Sequence, residues 1–184
     1  MKPPPDPFPR REGDLATTAF GDATEYRSLT LVAQLTHADV TPALPTRHPR
    51  YDDQLELRHV MLDAYRGGFD DPDVTLDDTR ASVHKFFEGG FAEPLLECSF
   101  VALDGAAIVA VTLVCLDEGR PLLARAYTVP AWQNRGLARA LIQLCMNALL
   151  DRGESELTLL VKAGNVPAEH LYESMGFVFE SGQA

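Results

Sequence analysis

The stretch that decides the fold of this chain is Tyr127-Thr128-Val129-Pro130-Ala131-Trp132-Gln133-Asn134-Arg135-Gly136-Leu137-Ala138-Arg139-Ala140. It predicts the end of a strand, a short polar turn and the start of a helix. Thr128 and Val129 favour a strand, and Pro130 ends it because proline has no N–H for a sheet ladder. Gly136 permits an unusual backbone angle or a close approach, and a helical pattern starts at Leu137. A helix start of this kind presents unpaired N–H groups that suit a phosphate.

Two motifs carry a resemblance to a known family. The residues from Gln133 to Ala138 resemble the Gln/Arg-x-x-Gly-x-Gly/Ala signature of the GNAT superfamily of N-acetyltransferases. Further along, Asn165 to Phe177 resembles the family's Asn-x-x-Ala-x-x-Leu-Tyr-x-x-x-Gly-Phe pattern. The motifs follow one another in the family's order, with one predicted strand between them. The resemblance is specific over about the last third of the chain and architectural before it.

Other phosphate-binding and metal-binding motifs fit less well. A dinucleotide-binding Rossmann domain would need a glycine where Asn134 stands, and hairpins precede the turn in place of a parallel unit. The sequence has no P-loop lysine motif, no H-E-x-x-H and no paired-cysteine zinc spacing. We therefore expect no metal site.

Size and composition set further bounds. The chain has 184 residues and is 46% hydrophobic, which fits one globular domain with a full core. A formal net charge of -11 argues against nucleic-acid binding. No apolar run approaches the ~20 residues that span a bilayer, and the N-terminus lacks the apolar core of a signal peptide. The three cysteines are expected to be buried free thiols, so we expect a cytoplasmic protein without membrane contact.

The pattern divides the chain into a Pro-rich flexible tail, residues 1–23, and a single domain, residues 24–184. The predicted elements are strands at Tyr26–Ala33, Leu44–His48, Cys98–Leu103, Ala107–Leu116, Leu122–Val129, Leu157–Val161 and Phe177–Glu180, and helices that follow Asp52 or Asp53, Thr75, Gly136 and Asn165. The expected fold class is α/β of the α+β type. A mixed, twisted central sheet has an antiparallel N-terminal part and parallel splayed strands, with helices on both faces, as in the GNAT fold.

The resemblance implies that acetyl coenzyme A is the acyl donor. The implied coenzyme-binding residues are Thr128, Val129, Gln133, Asn134, Arg135, Gly136, Leu137, Ala138, Arg139 and Asn165. Main-chain N–H groups of the turn would hold the pyrophosphate, and a side chain at Gly136 would stand where the phosphate must approach. Arg135 or Arg139 would add a charged contact, unless both serve only solubility. Trp132 is expected to pack as an apolar lid on the turn.

The reacting end of the coenzyme involves a second set of groups. The main chain at Thr128 and Val129 would align the thioester, with N–H groups there as oxyanion donors. Asn165 either contacts the coenzyme or caps the last helix. Tyr172 matches the family tyrosine that acts as general acid.

The general base is not identified by the sequence. Relatives often place a glutamate on the strand before the signature, but Leu122 to Val129 contains no carboxylate. Asp63 and Glu97 are weak substitutes, beside a water chain or an amine that arrives neutral. An acidic cluster either attracts the amine or, as we favour, is a solvated loop; its members are Asp70, Asp71, Asp73, Asp77 and Asp78.

The C-terminus departs from the family pattern, which has another strand after the Gly-Phe pair. That strand is absent, replaced by the N-terminal strand, or supplied by a partner chain.

These observations predict an acetyl-CoA-dependent N-acetyltransferase that acts on an amine of a small molecule or peptide, with a homodimer among the assemblies considered. The alternative is a coenzyme A-binding sensor or scaffold of the same fold that has lost catalysis, and a longer acyl group also stays open.

Overall fold

The computed structural model describes residues 28–90 and 92–180. The predicted tail, residues 1–23, and the first two residues of the predicted N-terminal strand lie outside the described residues. The strands are β1 (Ser28–Gln34), β2 (Thr46–Arg47), β3 (Glu93–Pro94), β4 (Phe100–Asp104), β5 (Ala107–Asp117), β6 (Arg120–Thr128), β7 (Glu156–Lys162) and β8 (Val178–Phe179). The helices are α1 (Gln54–Tyr65), α2 (Leu76–Phe87), α3 (Leu137–Arg152) and α4 (Val166–Glu173).

One mixed sheet runs through the molecule in the order β2-β4-β5-β6-β7-β1-β8, and β3 pairs with β5 outside this path. Strands β6 and β7 are parallel, and the other described pairs are antiparallel. Helix α3 connects the parallel pair, as expected for a strand-helix-strand crossover. The mixed sheet and its helices confirm the predicted fold class.

Helices cover both faces of the sheet. On one face, α1 and α2 pack on a buried cluster that includes Leu57, Phe86, Val111 and Tyr127. On the other face, α3 packs on a cluster that includes Ile142. Neighbouring residues of a strand point to opposite faces, so β5 and β6 contribute to both cores.

Strand β1 is an integral part of the sheet. It pairs with β7 from Ser28 opposite Lys162 to Gln34 opposite Glu156, and its other edge pairs with β8. The N-terminal strand therefore fills the place for which the sequence left three alternatives. Because β1 is antiparallel to β7, Ser28 lies at the end of the sheet where β7 ends.

Replacing Leu31 by alanine tests whether β1 is needed for the fold. Leu31 is 1% exposed in the core under α3, so we expect Leu31→Ala to lower the free energy of unfolding by about 2–5 kcal/mol. Leu160, on the paired strand β7, is 46% exposed, and Leu160→Ala is the matched control with a much smaller expected loss. Denaturant unfolding measures both, and equal losses would contradict an integral role for β1.

The start of α1 differs from the prediction in two details. Leu55, assigned to the apolar face, is 61% exposed, whereas Leu57 is fully buried. Asp53 occupies the N-cap position, but its carboxylate accepts hydrogen bonds from the Arg47 guanidinium at 2.7 and 2.9 Å and from the Arg50 N–H at 2.7 Å. Burial raises the pKa of the Asp53 carboxyl, and these hydrogen bonds outweigh it and hold the pKa below its ordinary value.

The start of α2 follows the prediction. The Thr75 hydroxyl accepts a hydrogen bond from the Asp78 N–H, and the Asp78 carboxylate accepts one from the Thr75 N–H. This reciprocal capping box is the pattern expected from the sequence.

Candidate active site

The two parallel strands separate as they approach the turn. Pairing between β6 and β7 is confined to Leu122 with Thr158 and Leu123 with Leu159. Beyond Leu123, the edge of β6 that faces β7 has no ladder to it. A cleft therefore opens at the carboxyl end of both strands, beside the start of α3.

The register of β5 and β6 decides which main-chain donors face this cleft. The Val129 N–H donates to the Val109 carbonyl at 3.0 Å, so Ala110 and Thr128 form a non-hydrogen-bonded pair. The Thr128 N–H thus points away from β5, toward the cleft. The expectation that both N–H groups are free donors is wrong for Val129, because its N–H already belongs to the ladder.

The turn before α3 exposes a row of main-chain N–H groups. Asn134 and Gly136 both have left-handed backbone, with φ of 58° and 77°. The N–H groups from Asn134 to Arg139 donate to no acceptor in the part of the chain that the structure describes. The Gln133 amide donates to the Thr128 carbonyl at 3.0 Å, which ties the turn to the end of β6.

A Cβ built on Gly136 would meet no atom within 4 Å. Glycine is required there by its positive φ, and the space in front of it is open. This geometry suits the close approach of a phosphate.

The two arginines of the turn already have partners. The Arg135 guanidinium lies over the Trp132 ring, 4.5 Å from its centroid. Arg139 donates to the Ser174 hydroxyl and, at 3.4 Å, to the Ser174 carbonyl beyond α4. Trp132 packs against the cluster that contains Leu137, as expected for an apolar lid.

Tyr172 lies on α4 and packs against the core under α3. Its ring contacts Phe177 edge-on, with 5.6 Å between centroids. Within residues 28–90 and 92–180, the Tyr172 hydroxyl has no hydrogen-bond partner. Burial raises the pKa of the Tyr172 phenol, and the nearby Tyr65 and Asp70 raise it further. The hydroxyl therefore keeps its proton at neutral pH.

Asn165 caps α4 and holds the acidic loop. Its carbonyl oxygen accepts from the Ala168 N–H at 3.3 Å, and its amide donates to the Asp70 carboxylate at 2.9 Å. Lys162 donates to the Asp70 carbonyl at 3.0 Å and lies 5.5 Å from the Phe69 ring centroid. The capping alternative for Asn165 is confirmed, and contact with a coenzyme stays a prediction.

The loop that contains Asp70 lies close to Tyr172, which the sequence alone does not reveal. Burial raises the pKa of the Asp71 carboxyl, and Asp78 adds to this, while Lys162 works against it. Asp70 and Asp71 also act on Tyr65, whose ring contacts Tyr127 with 5.8 Å between centroids. The sequence-based interpretation missed Tyr65; its place in the last turn of α1 is the signal that could have pointed to it.

The two substitutes proposed for the general base are poorly placed. Glu97 forms an ion pair of 2.9 Å with Arg152, the last residue of α3. A helix of this length spans about 24 Å, which separates Glu97 from the turn at Gly136. Asp63 is exposed on α1.

The three cysteines are free thiols buried in the core, as expected. Burial raises the pKa of Cys98 to about 11 and those of Cys115 and Cys145 to about 12, so none is a thiolate at neutral pH. Among the described residues, no three His, Cys, Asp or Glu side chains are grouped to hold a metal ion. None of the described helices is long and apolar enough to cross a membrane.

Comparison with known proteins was made for the whole chain. The model of the Acetyltransferase (GNAT) family matches residues 55–177. The chain is 40% identical over 93 residues to a ribosomal protein bS18-alanine N-acetyltransferase of Salmonella typhimurium, a match that covers 50% of this chain. The same match covers 62% of the relative, so the chain spans less than two thirds of that protein's length.

Two solved structures share the fold. The ribosomal-protein-S18-alanine N-acetyltransferase of Escherichia coli has a TM-score of 0.58 at 23% identity, covering 73% of this chain and 77% of that chain. The PaiA N-acetyltransferase of Thermoplasma acidophilum, solved with coenzyme A, has a TM-score of 0.60 at 14% identity, covering 75% of this chain and 91% of that chain.

Proposed function

This chain belongs to the GNAT family of acetyltransferases, and from that premise we propose that it transfers an acetyl group from acetyl coenzyme A to an amine of a small molecule or peptide. The observation that carries the proposal is the row of unpaired N–H groups at the start of α3, which borders the cleft between β6 and β7. Main-chain donors of this kind bind a diphosphate without side-chain charge.

The donor's remaining contacts come from the end of β6. The Thr128 N–H faces the cleft and is the donor for the thioester oxygen as it gains negative charge. The Thr128 hydroxyl is buried and has no partner among the described residues. An unsatisfied buried hydroxyl is costly, so it supports a site that is completed by a bound substrate.

Replacing Thr128 by valine tests this contact. Valine keeps the shape of the side chain and removes an unsatisfied buried group, so the free energy of unfolding should stay the same or rise. Affinity for coenzyme A should fall about 5- to 10-fold, the effect of one lost hydrogen bond. Thermal unfolding and calorimetric titration measure the two quantities. Unchanged affinity for coenzyme A would remove Thr128 from the site.

The transfer requires one bond to form and one to break. The neutral amine attacks the carbonyl carbon, a C–N bond forms, and the C–S bond breaks as the thiolate leaves. The Tyr172 hydroxyl supplies the proton to sulfur, since its raised pKa keeps it protonated until negative charge reaches the sulfur. The amine's proton leaves through the loop beside Tyr172, where the raised pKa of Asp71 suits a base.

The acceptor is an amine that reaches this loop as a cation. The carboxylates of Asp70 and Asp71 favour a positive charge at this end of the cleft. The names of the relatives refer to an alanine of a ribosomal protein, which supports a peptidyl amine as the acceptor class.

Release of free thiol from acetyl coenzyme A, measured across a panel of small amines and peptides, tests the proposed activity. We expect turnover with at least one peptide that has a free N-terminus, and none when that terminus is already acetylated. Coenzyme A binding without turnover on the whole panel would favour the sensor or scaffold alternative.

A further inference from the structure

A groove runs between α1 and α2 on the side of these helices that faces away from the sheet. Its volume is about 510 Å³, within the usual range for binding sites. The side chains that line it from α1 include Gln54, Leu55 and Arg58, and those from α2 include Arg80 and His84. Residues three and four apart share a face of a helix, so each helix presents one stripe to the groove.

The groove is cationic in a strongly acidic protein. Lys and Arg number 16 and Asp and Glu number 27 in the chain, yet none of the residues that line the groove is acidic. Arg58 and Arg80 face it from opposite helices, and His84 lies beside Arg80 by one helical turn. A local excess of positive charge on such a chain favours an anionic partner.

The arginines have unused hydrogen-bonding capacity. The Arg58 Nε is buried and has no acceptor among the described residues. Arg80 has one exposed ion pair, 3.4 Å from Asp77, with side chains that are 64% and 86% exposed. An exposed pair of this kind contributes little, so a competing carboxylate can displace it.

An apolar position borders the charged ones. Leu55 is 61% exposed, although it lies one residue from the groove's polar Gln54. An exposed leucine beside two arginines fits a ligand that has both apolar and carboxylate side chains. An open groove between two helices also fits an extended or helical peptide better than an enclosed small molecule.

We propose that the α1–α2 groove binds an acidic peptide segment of a protein partner, with Arg58 and Arg80 holding its carboxylates and Leu55 contacting an apolar side chain. A planar guanidinium can bind a carboxylate through two parallel hydrogen bonds. The groove uses none of the residues assigned to acetyl transfer, so the peptide binds whether or not that activity exists.

Fluorescence polarisation with a labelled, end-capped Glu-Leu-Glu-Glu-Leu-Glu peptide tests the site. The wild-type chain should bind this probe, and the Arg58→Gln/Arg80→Gln double variant should bind it at least about 30-fold more weakly. A peptide with lysine in place of each glutamate should not bind. Raising the salt concentration from about 50 to 300 mM should weaken the wild-type interaction.

Arg66→Gln is the matched control, because Arg66 is exposed at the other end of α1 and removes the same charge. It should bind the probe like the wild type, and all variants should keep their affinity for coenzyme A. If the double variant unfolds, Arg58→Lys/Arg80→Lys keeps the charge and loses the planar fork, and should weaken binding about 3- to 10-fold. No binding by the wild type, or equal loss in Arg66→Gln, would overturn the proposal.

Discussion

Replacing Tyr172 by phenylalanine is expected to lower kcat for acetyl transfer by about 10²- to 10⁴-fold, the usual contribution of a general acid. The ring contact with Phe177 does not depend on the hydroxyl, so the variant should fold normally. Affinity for coenzyme A should stay nearly unchanged, because the diphosphate is held at the start of α3. Steady-state kinetics and calorimetric titration measure these two quantities.

Tyr51→Phe is the matched control for that variant. The Tyr51 hydroxyl donates to the Phe87 carbonyl at 3.2 Å, away from the cleft, so its loss should leave kcat unchanged. The raised pKa of Tyr172 adds a second test: a general acid is lost as the pH rises through its pKa, so ionisation of Tyr172 should not reduce the rate below about pH 10. An unchanged kcat in Tyr172→Phe would remove the assignment.

Replacing Gly136 by valine is expected to weaken coenzyme A binding by about 100-fold or more. The φ of 77° is strained for a β-branched residue, which costs about 1–2 kcal/mol, and the new side chain fills the open space in front of the N–H groups. Both effects act on the diphosphate site. Calorimetric titration with coenzyme A measures the change.

Gly153→Val separates strain from obstruction. Gly153 ends the same helix with a φ of 94° and also has no atom within 4 Å of a built Cβ. Its valine variant should lose a similar amount of stability and keep its affinity for coenzyme A. If both variants lose affinity equally, the effect of Gly136→Val is unfolding and the site is elsewhere.

Local sequence signals predicted the elements of the fold well. The capping box at Thr75 and Asp78 and the glycine at Gly153 mark helix ends where the structure has them. These signals depend on residues a few positions apart, so they can be read without knowing the tertiary structure. The phosphate-suited turn at Gly136 was predictable for the same reason.

Features that depend on distant residues were not predictable. The place of β1 between β7 and β8 requires pairing across more than a hundred residues of chain, for which the sequence left several alternatives. The loss of the Val129 N–H to the ladder depends on the register of β5 and β6. The contact of Arg139 with Ser174 depends on how α3 and α4 pack.

The acceptor end of the cleft shows the same limit. The acidic run from Asp70 to Asp73 is visible in the sequence, and a solvated loop was the favoured interpretation. Only the hydrogen bond from Asn165 and the contacts of Lys162 bring this loop to the cleft beside Tyr172. Sequence proximity therefore identified the charges, and tertiary contacts gave them a place near the proposed reaction.

The central claim is that main-chain N–H groups at the start of α3 bind the diphosphate of the coenzyme. Amide chemical shifts of the ¹⁵N-labelled protein, recorded during titration with coenzyme A, test it most directly. The largest changes should occur at Asn134 to Arg139 and at Thr128, and pantetheine, which lacks the diphosphate, should move Thr128 but leave Arg135 to Ala138 in place. Saturable binding of coenzyme A that leaves the amides of Arg135 to Ala138 unshifted would contradict the account.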